Sequence, residues 1–345
     1  GNSGHSLNVS ITNVSVKEVT KNNLARVDYD GTASSLLVEP ERTNKITYSE
    51  AFDNAYWSDA SIGTTPVLTS GFTSPDGTDN AYKISNANQD SFWYGASGAF
   101  QPTDSRTIYA RTVSGTGTAQ LLSHNSNTNN TFNLTEEWQR FEVSTTTSGI
   151  GNTSFYAVDF RGGGTLDELL IWGAQAEVGS YATSYIPTDG GTVTRVQDQY
   201  SKTGISNLIN STEGVLFAEM AALSDDLTYR SITISDGTGD NRIIIRYSNA
   251  SNTLQALCYI STGLSGFCQY LLTDETLFSK IAFKWKVNDF ALWVDGVEVA
   301  TDTSGAVPTG LNTLEFNTTT DTQHLLAKVK QLQVFKTALT DDELA

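Results

Sequence analysis

Residues 166–200 read LDELLIWGAQAEVGSYATSYIPTDGGTVTRVQDQY, an apolar run that gives way to turn residues. Leu169, Leu170, Ile171 and Trp172 have the composition of a buried strand. The Gly-Ser-Tyr and Pro-Thr-Asp-Gly-Gly steps that follow are chain punctuation. One domain closes here and another opens beyond it.

The wider composition agrees with that division. A chain of 345 residues suits two domains better than one or four, since domains run to about 100–200 residues. Its 38% hydrophobic residues suffice for real cores, while 17% charged residues, 28 Gly and long Ser/Thr/Asn tracts give the look of all-β extracellular or virion proteins. A formal charge of -17 would repel a phosphate backbone, so nucleic acid is excluded as a partner. No stretch approaches the ~18 apolar residues of a membrane span. The opening Gly-Asn-Ser-Gly-His lacks Met, a basic region and an apolar signal core, which is the expectation for a processed, tagged or excised piece.

Upstream, residues 6–19 alternate with period two but have no partner strand nearby in sequence. Similar segments recur at 166–178 and 326–335, so three domain-closing strands are expected, the first left over from a preceding module. The segment Leu24-Ala-Arg26-Val27-Asp28 echoes Val193-Thr-Arg195-Val196-Gln-Asp198. The expected organisation is a closing strand and linker over 1–28, a first domain over 29–190, a linker over 191–210 and a second domain over 211–345. In the first domain, short strands near 81–85, 92–94, 106–113, 119–123, 139–144 and 155–160, with turns between them, suggest a sandwich.

The second domain reads as hairpins. Residues 231–234 and 242–247 flank the turn Asp236-Gly-Thr-Gly-Asp240, and Asp295-Gly296 between Val294 and Val297 is a type I′ signal because both turn positions need positive φ. Ile281, Phe283, Trp285 and Val287 alternate with Lys284 and Lys286, giving one buried and one wet face. Cys258 and Cys268 are symmetric about Gly263. A hairpin centred there would set them opposite each other within disulfide reach, whereas a chain assembled in a reducing cytoplasm would keep two buried thiols; both readings stand.

Two resemblances follow. Trp57, the run 107–113, the strand Glu137-Trp138-Gln-Arg-Phe-Glu-Val143 and the closing strand 167–172 together resemble a jelly-roll carbohydrate-binding module. More narrowly, PERTNKITYSEAFDNAYW (40–57) and WGAQAEVGSYATSYIPT (172–188) are similar to modules of bacteriophage tail-fibre and virion-surface proteins, over roughly residues 36–196. KIAFKWKVNDFALWVDGVEVA (280–300), with the final VKQLQVFKTALTDDELA, resembles the laminin-G or concanavalin A-like lectin sandwich over 213–345. Thr340 is placed to cap a short terminal helix. The fold class is therefore all-β, two tandem antiparallel β-sandwiches.

Enzymatic chemistry is not encoded in a recognisable pattern. His5, His124 and His324 lie in different regions without a second metal ligand at helical or hairpin spacing. No Gly-x-Ser-x-Gly elbow or phosphate loop occurs, nor the Glu-x-Asp-x-Glu triplet of concanavalin-like glycoside hydrolases. Glu219, Glu298 and Glu315 stand alone on ordinary strands. The jelly-roll resemblance implies one structural Ca2+ between first and closing strands, where Glu50, Asp53 and Asp167 fall; solvated turn carboxylates are the alternative.

Sugar binding in such modules uses aromatic rings against pyranose faces with polar neighbours. Trp93, Tyr94, Tyr109, Arg111 and Tyr156 are the candidates, while Trp57, Trp138, Trp172, Trp285 and Trp293 are assigned to cores. The resulting expectation is a non-enzymatic phage virion adhesion protein, on a tail or capsid fibre, that binds host surface polysaccharide beside other virion proteins. The resemblance alone implies a homotrimer. The alternatives are a purely structural decoration protein, or secreted accessory modules of a bacterial polysaccharide-degrading enzyme.

Overall fold

A computed structural model describes residues 25–31, 33–59, 66–85, 91–94, 100–124, 130–144, 153–319 and 322–345. The strand expected over 6–19 lies outside the described residues. The described chain begins with β1 (Arg26–Asp30), β2 (Ala33–Val38), β3 (Arg42–Asn44), β4 (Ser58–Asp59), β5 (Val67–Phe72), β6 (Ala81–Ser85) and β7 (Ser91–Tyr94). It continues through β8 (Asp104–Arg111), β9 (Gly117–Gln120), β10 (Thr131–Leu134), β11 (Gln139–Val143), β12 (Phe155–Asp159) and β13 (Leu169–Val178). After β14 (Val193–Arg195) and β15 (Ser201–Lys202) come β16 (Glu213–Ala222), β17 (Arg230–Ser235), β18 (Arg242–Tyr247), β19 (Thr253–Ile260) and β20 (Gly263–Leu271). The last strands are β21 (Ser279–Lys286), β22 (Phe290–Val294), β23 (Val297–Asp302), β24 (Thr313–Glu315) and β25 (Ala327–Phe335), followed by α1 (Asp341–Leu344).

These strands build two antiparallel sandwiches. In the first, a five-stranded sheet in the order β11-β8-β13-β6-β5 faces a three-stranded sheet, β12-β7-β4. Alternation decides which side chains enter: Ile108 and Ala110 from β8, Phe141 and Val143 from β11, and Ile84 from β6 meet Phe92 and Phe155 from the other sheet. Trp57 joins this core, stacked on Phe92 at 5.5 Å between ring centroids. In the second, a seven-stranded sheet, β1-β2-β25-β16-β21-β22-β23, packs on a six-stranded sheet, β15-β24-β17-β18-β19-β20, around Leu216, Ile243, Ile245, Phe283 and Trp285.

The pairing of residues 26–38 departs from the expected boundary. β1 and β2 form a hairpin that extends the second sandwich, with Leu36, Leu37 and Val38 paired to Val329, Lys328 and Ala327. Val38 is buried in that core, and Asp28 lies 2.7 Å from Lys328. The physical reason is the free edge of β25, whose backbone groups need a partner that local sequence does not supply.

The cysteines also depart from the opposed arrangement. The hairpin turns at Ser261 and Thr262, with φ of 46° and 70°, so Ile260 pairs with Gly263. A bulge next to Tyr259 then sets Cys258 against Gly266, and Cys268 against Ala256. Both thiols are free and buried in the core, and burial pushes each up to about 12. The centre of the hairpin is thus the Ser-Thr pair rather than Gly263, and the register does not set the two thiols opposite each other.

The Asp295-Gly296 turn has positive φ at both positions, as its sequence requires. Thr340 caps α1 in a capping box with Glu343. Among the described residues no helix is long and apolar enough to cross a membrane.

Candidate functional site: the outer face of the first sandwich

β8 carries Ile108 and Ala110 into the core and therefore turns Tyr109 and Arg111 outward. Tyr109 pairs with Trp172 of β13 on one side and Arg140 of β11 on the other, making one row across three strands. The two ring centroids are 5.3 Å apart, and the Arg140 guanidinium carbon lies 5.7 Å from the Tyr109 ring centre. Tyr185, from the loop after β13, completes the group at 4.7 Å from Trp172 and 6.2 Å from Tyr109. Gly173, at φ 64°, sits in the bulge that separates Trp172 from Gln175; a Cβ there would meet Tyr109 at 3.2 Å, so glycine is what lets the rings close up.

A second cation–aromatic pair flanks the row. The Arg111 guanidinium lies 5.3 Å from the Trp138 ring centre, while its Nη1 donates to the Glu136 carbonyl at 3.2 Å. Trp138 Nε1 donates to the Thr73 carbonyl at 3.1 Å, which fixes the ring at the sheet edge. Three donors on this face are buried without a protein acceptor among the described residues: Trp172 Nε1, Arg111 Nε and Arg140 Nε. Rings, guanidinium groups and unused N–H donors together suit a ligand with apolar ring faces and many hydroxyl acceptors.

The loop carrying Tyr185 is held by polar contacts rather than packing alone. Tyr185 Oη lies 2.9 Å from Glu50 Oε1 and 2.7 Å from Ser49 Oγ, and Asn80 Nδ2 donates to Glu50 Oε2 at 2.8 Å. Burial and the Glu50 charge drive the Tyr185 phenol well above its ordinary range, so it remains a donor. Nearby, Asn44 donates to the carbonyls of Ala174 and Ile186 at 3.1 and 2.9 Å, and Thr188 Oγ1 donates to the Ile46 carbonyl at 2.7 Å. The two distinctive segments at 40–57 and 172–188 are thereby knitted into one region, with β3 paired to β14 beside them.

The sequence candidates do not all converge. Tyr109 and Arg111 share the face just described. Tyr156 lies in the other sheet, buried on the side away from the shared core, with His124 edge-on at 5.1 Å. The β7 backbone pairs Trp93 with Tyr156 and Tyr94 with Phe155, but the side chains of Trp93 and Tyr94 fall outside the described residues. Trp57, Trp172, Trp285 and Trp293 are buried as assigned, Trp172 against Tyr185 on the outer side of its sheet and Trp293 in a small cluster apart from the main core, whereas Trp138 is only half-buried. Arg140 and Trp138 were within reach of the alternation in 137–143, because Phe141 and Val143 face inward and their neighbours must face out. Tyr185 had no such signal, since its loop has no periodicity.

Glu50, Asp53 and Asp167 do not fit the implied calcium site. Both Glu50 oxygens are engaged by Tyr185 and Asn80, Asp53 is hydrogen-bonded to the Tyr82 phenol, and Asp167 is exposed. Among the described residues no three acidic, histidine or cysteine side chains gather as a metal-binding group.

No family model matches the chain, and no curated protein matches it. Among solved structures, the CBM40 module of the Ruminococcus gnavus IT-sialidase, bound to alpha2,3 sialyllactose, is similar at 15% identity and a TM-score of 0.35, covering 42% of this chain and 96% of that one. Sheep galectin-11 in complex with glycerol is similar at 8% identity and a TM-score of 0.30, over 41% of this chain and 99% of the galectin. The galectin LEC-6 of Caenorhabditis elegans gives 11% identity and a TM-score of 0.29, over 40% of this chain and 91% of its own.

Proposed function

We propose that this chain is a non-catalytic adhesion protein of a phage virion that binds host cell-surface glycans through the outer face of its first sandwich. The observation that carries the reading is the Trp172–Tyr109–Arg140 row, where rings packed edge to face and a guanidinium stand beside N–H donors without protein acceptors among the described residues. Arg111 and Trp138 extend that row along the sheet. A hydrolase would need two carboxylates flanking the scissile bond, whereas of those near the row Glu50 is engaged by Tyr185 and Asn80, and Glu142 by Ser105, Ser144 and the Ala182 amide. Placement on a tail or capsid fibre, next to other virion proteins and as a homotrimer, rests on the likeness of residues 40–57 and 172–188 to phage modules. Several weak sites on one particle would then bind as an ensemble, later contacts being intramolecular.

A glycan array tests this reading. The expected result is binding of host surface polysaccharide that Tyr109→Ala and Trp138→Ala each weaken by about 1–3 kcal/mol, the loss of one stacked ring. Host binding unaltered by both substitutions would instead favour a purely structural decoration role. A longer parent chain bearing a catalytic carboxylate pair would favour accessory modules of a secreted enzyme.

A further inference from the structure

The outer face of the six-stranded sheet carries a second arrangement of a different kind. Ile243, Ile245 and Tyr247 of β18 enter the core, so Arg242, Ile244 and Arg246 face outward. Each arginine lies over a tyrosine: Arg242 is 4.3 Å from the Tyr259 ring centre, and Arg246 is 4.1 Å from that of Tyr229. Arg246 Nε donates to Gln255 Oε1 at 2.9 Å, and Gln255 Nε2 to Gln269 Oε1 at 2.9 Å, a polar ladder over three strands. Four residues of extended strand separate the Cα atoms of Arg242 and Arg246 by about 13 Å, and each guanidinium is held over a different tyrosine.

In a chain of net charge -17, cations are expected to be paired with acids. Among the described residues no carboxylate lies within ion-pair distance of Arg242 or Arg246, although Arg230 and Lys328 each have one and Lys284 has two. Arg242 Nε is buried without an acceptor, and Thr319 Oγ1 close by is in the same state. A Cβ on Gly239 would touch Arg242 Nη1 at 3.1 Å and Thr319 Oγ1 at 3.4 Å, so these groups border one spot. Thr319 also lines a depression of 290 Å3 with Glu315, Asn317, Tyr200 and Ser201. Glu315, opposite Thr233, places one carboxylate on the same face, where it suits a hydroxyl donor.

We propose that this face is a separate binding site for an acidic oligosaccharide, whose carboxylates seat on Arg242 and Arg246 while its hydroxyls reach the glutamine ladder and the Glu315 depression. With the two arginines four strand residues apart and each guanidinium on its own tyrosine, the ligand spans more than one sugar unit. Tyrosine stacking holds each guanidinium in a fixed plane before binding, which limits the ordering cost of the bidentate contact. The site does not depend on the first sandwich.

Isothermal titration of the whole chain with a galacturonate hexamer, a hyaluronan hexamer, a sulfated hexamer and maltohexaose tests it at low and at physiological salt. The carboxylated hexamers are expected to bind, with affinity falling as salt rises, and maltohexaose is expected not to bind here. The Arg242→Gln/Arg246→Gln double variant should lose at least about tenfold, and the Arg→Lys double variant less, because it keeps charge but not the planar fork. Tyr109→Ala should leave this affinity unchanged, which separates the outcome from the reading of the first sandwich. The proposal is overturned if neither carboxylated hexamer binds, if only the sulfated one does, or if the folded Gln or Lys variants bind like the parent chain.

Discussion

Glu39 Oε2 lies 3.2 Å from Arg195 Nη2, an ion pair between side chains that are 3% and 7% exposed. It joins the segment entering the first sandwich to the segment leaving it. Glu39 Oε1 also accepts from the Ser184 amide at 2.7 Å, and Arg195 Nη1 donates to the Ser184 carbonyl at 2.9 Å. Asp198 extends the network, accepting from Arg26 and, at 2.8 Å, from the Glu39 amide. Glu39→Ala leaves a buried guanidinium without its partner, and the expected cost is about 3–5 kcal/mol. Urea denaturation should show a lower midpoint with an unchanged slope; a loss under about 1 kcal/mol would mean that water screens the pair.

That network shows where the sequence was legible and where it was not. The echo of Arg26-Val27-Asp28 in Arg195-Val196-Gln-Asp198 is visible in the letters, and one pair of its members meets, Arg26 with Asp198, while Arg195 pairs with Glu39 outside both segments. What the letters do not carry is that β2 completes the sheet of β25, nearly three hundred residues away, because edge pairing of backbones leaves no local period. Strand alternation placed Tyr109 and Arg111 on a common face correctly. The ring that covers them, Tyr185, comes from an aperiodic loop, and its position depends on the Glu50 and Ser49 contacts.

The Glu50–Tyr185 contact makes its own prediction. Tyr185→Phe removes a hydrogen bond to a carboxylate and should cost about 1.5–3 kcal/mol. Because both Glu50 oxygens are already engaged, the midpoint of thermal unfolding should be the same in EDTA and in CaCl2. A midpoint raised by CaCl2 in the parent chain but not in Glu50→Gln would show that the cation displaces these partners.

The cysteines offer a chemical check. Thiols held at about 12 by burial are scarcely ionised near neutrality, so an alkylating reagent should react slowly with the native chain and fully once it is denatured without reductant. Mass measurement should then show an adduct on both Cys258 and Cys268. An unmodified pair under denaturing, unreduced conditions would establish a bond that the Cys258–Gly266 register does not favour.

Glu275 makes the second sandwich sensitive to pH. It is 3% exposed, its Oε2 has no acceptor or donor partner among the described residues, and it is close to the buried Tyr247 phenol. Burial, with the charges of Asp225, Asp226 and Asp274, pushes the carboxyl from 4.5 up to about 7. Between those two values the folded chain holds more proton than the unfolded chain, so stability falls as pH rises through the window. Below it both states are protonated and the contribution is complete; above it the folded state carries a buried charge and the contribution is gone. Glu275→Gln keeps the shape and removes the charge, so the difference in stability between variant and parent should grow from pH 4.5 to about 7 and level off beyond. Parallel urea titrations across that range measure it, and a difference that does not change with pH would show that Glu275 reaches solvent in the folded chain.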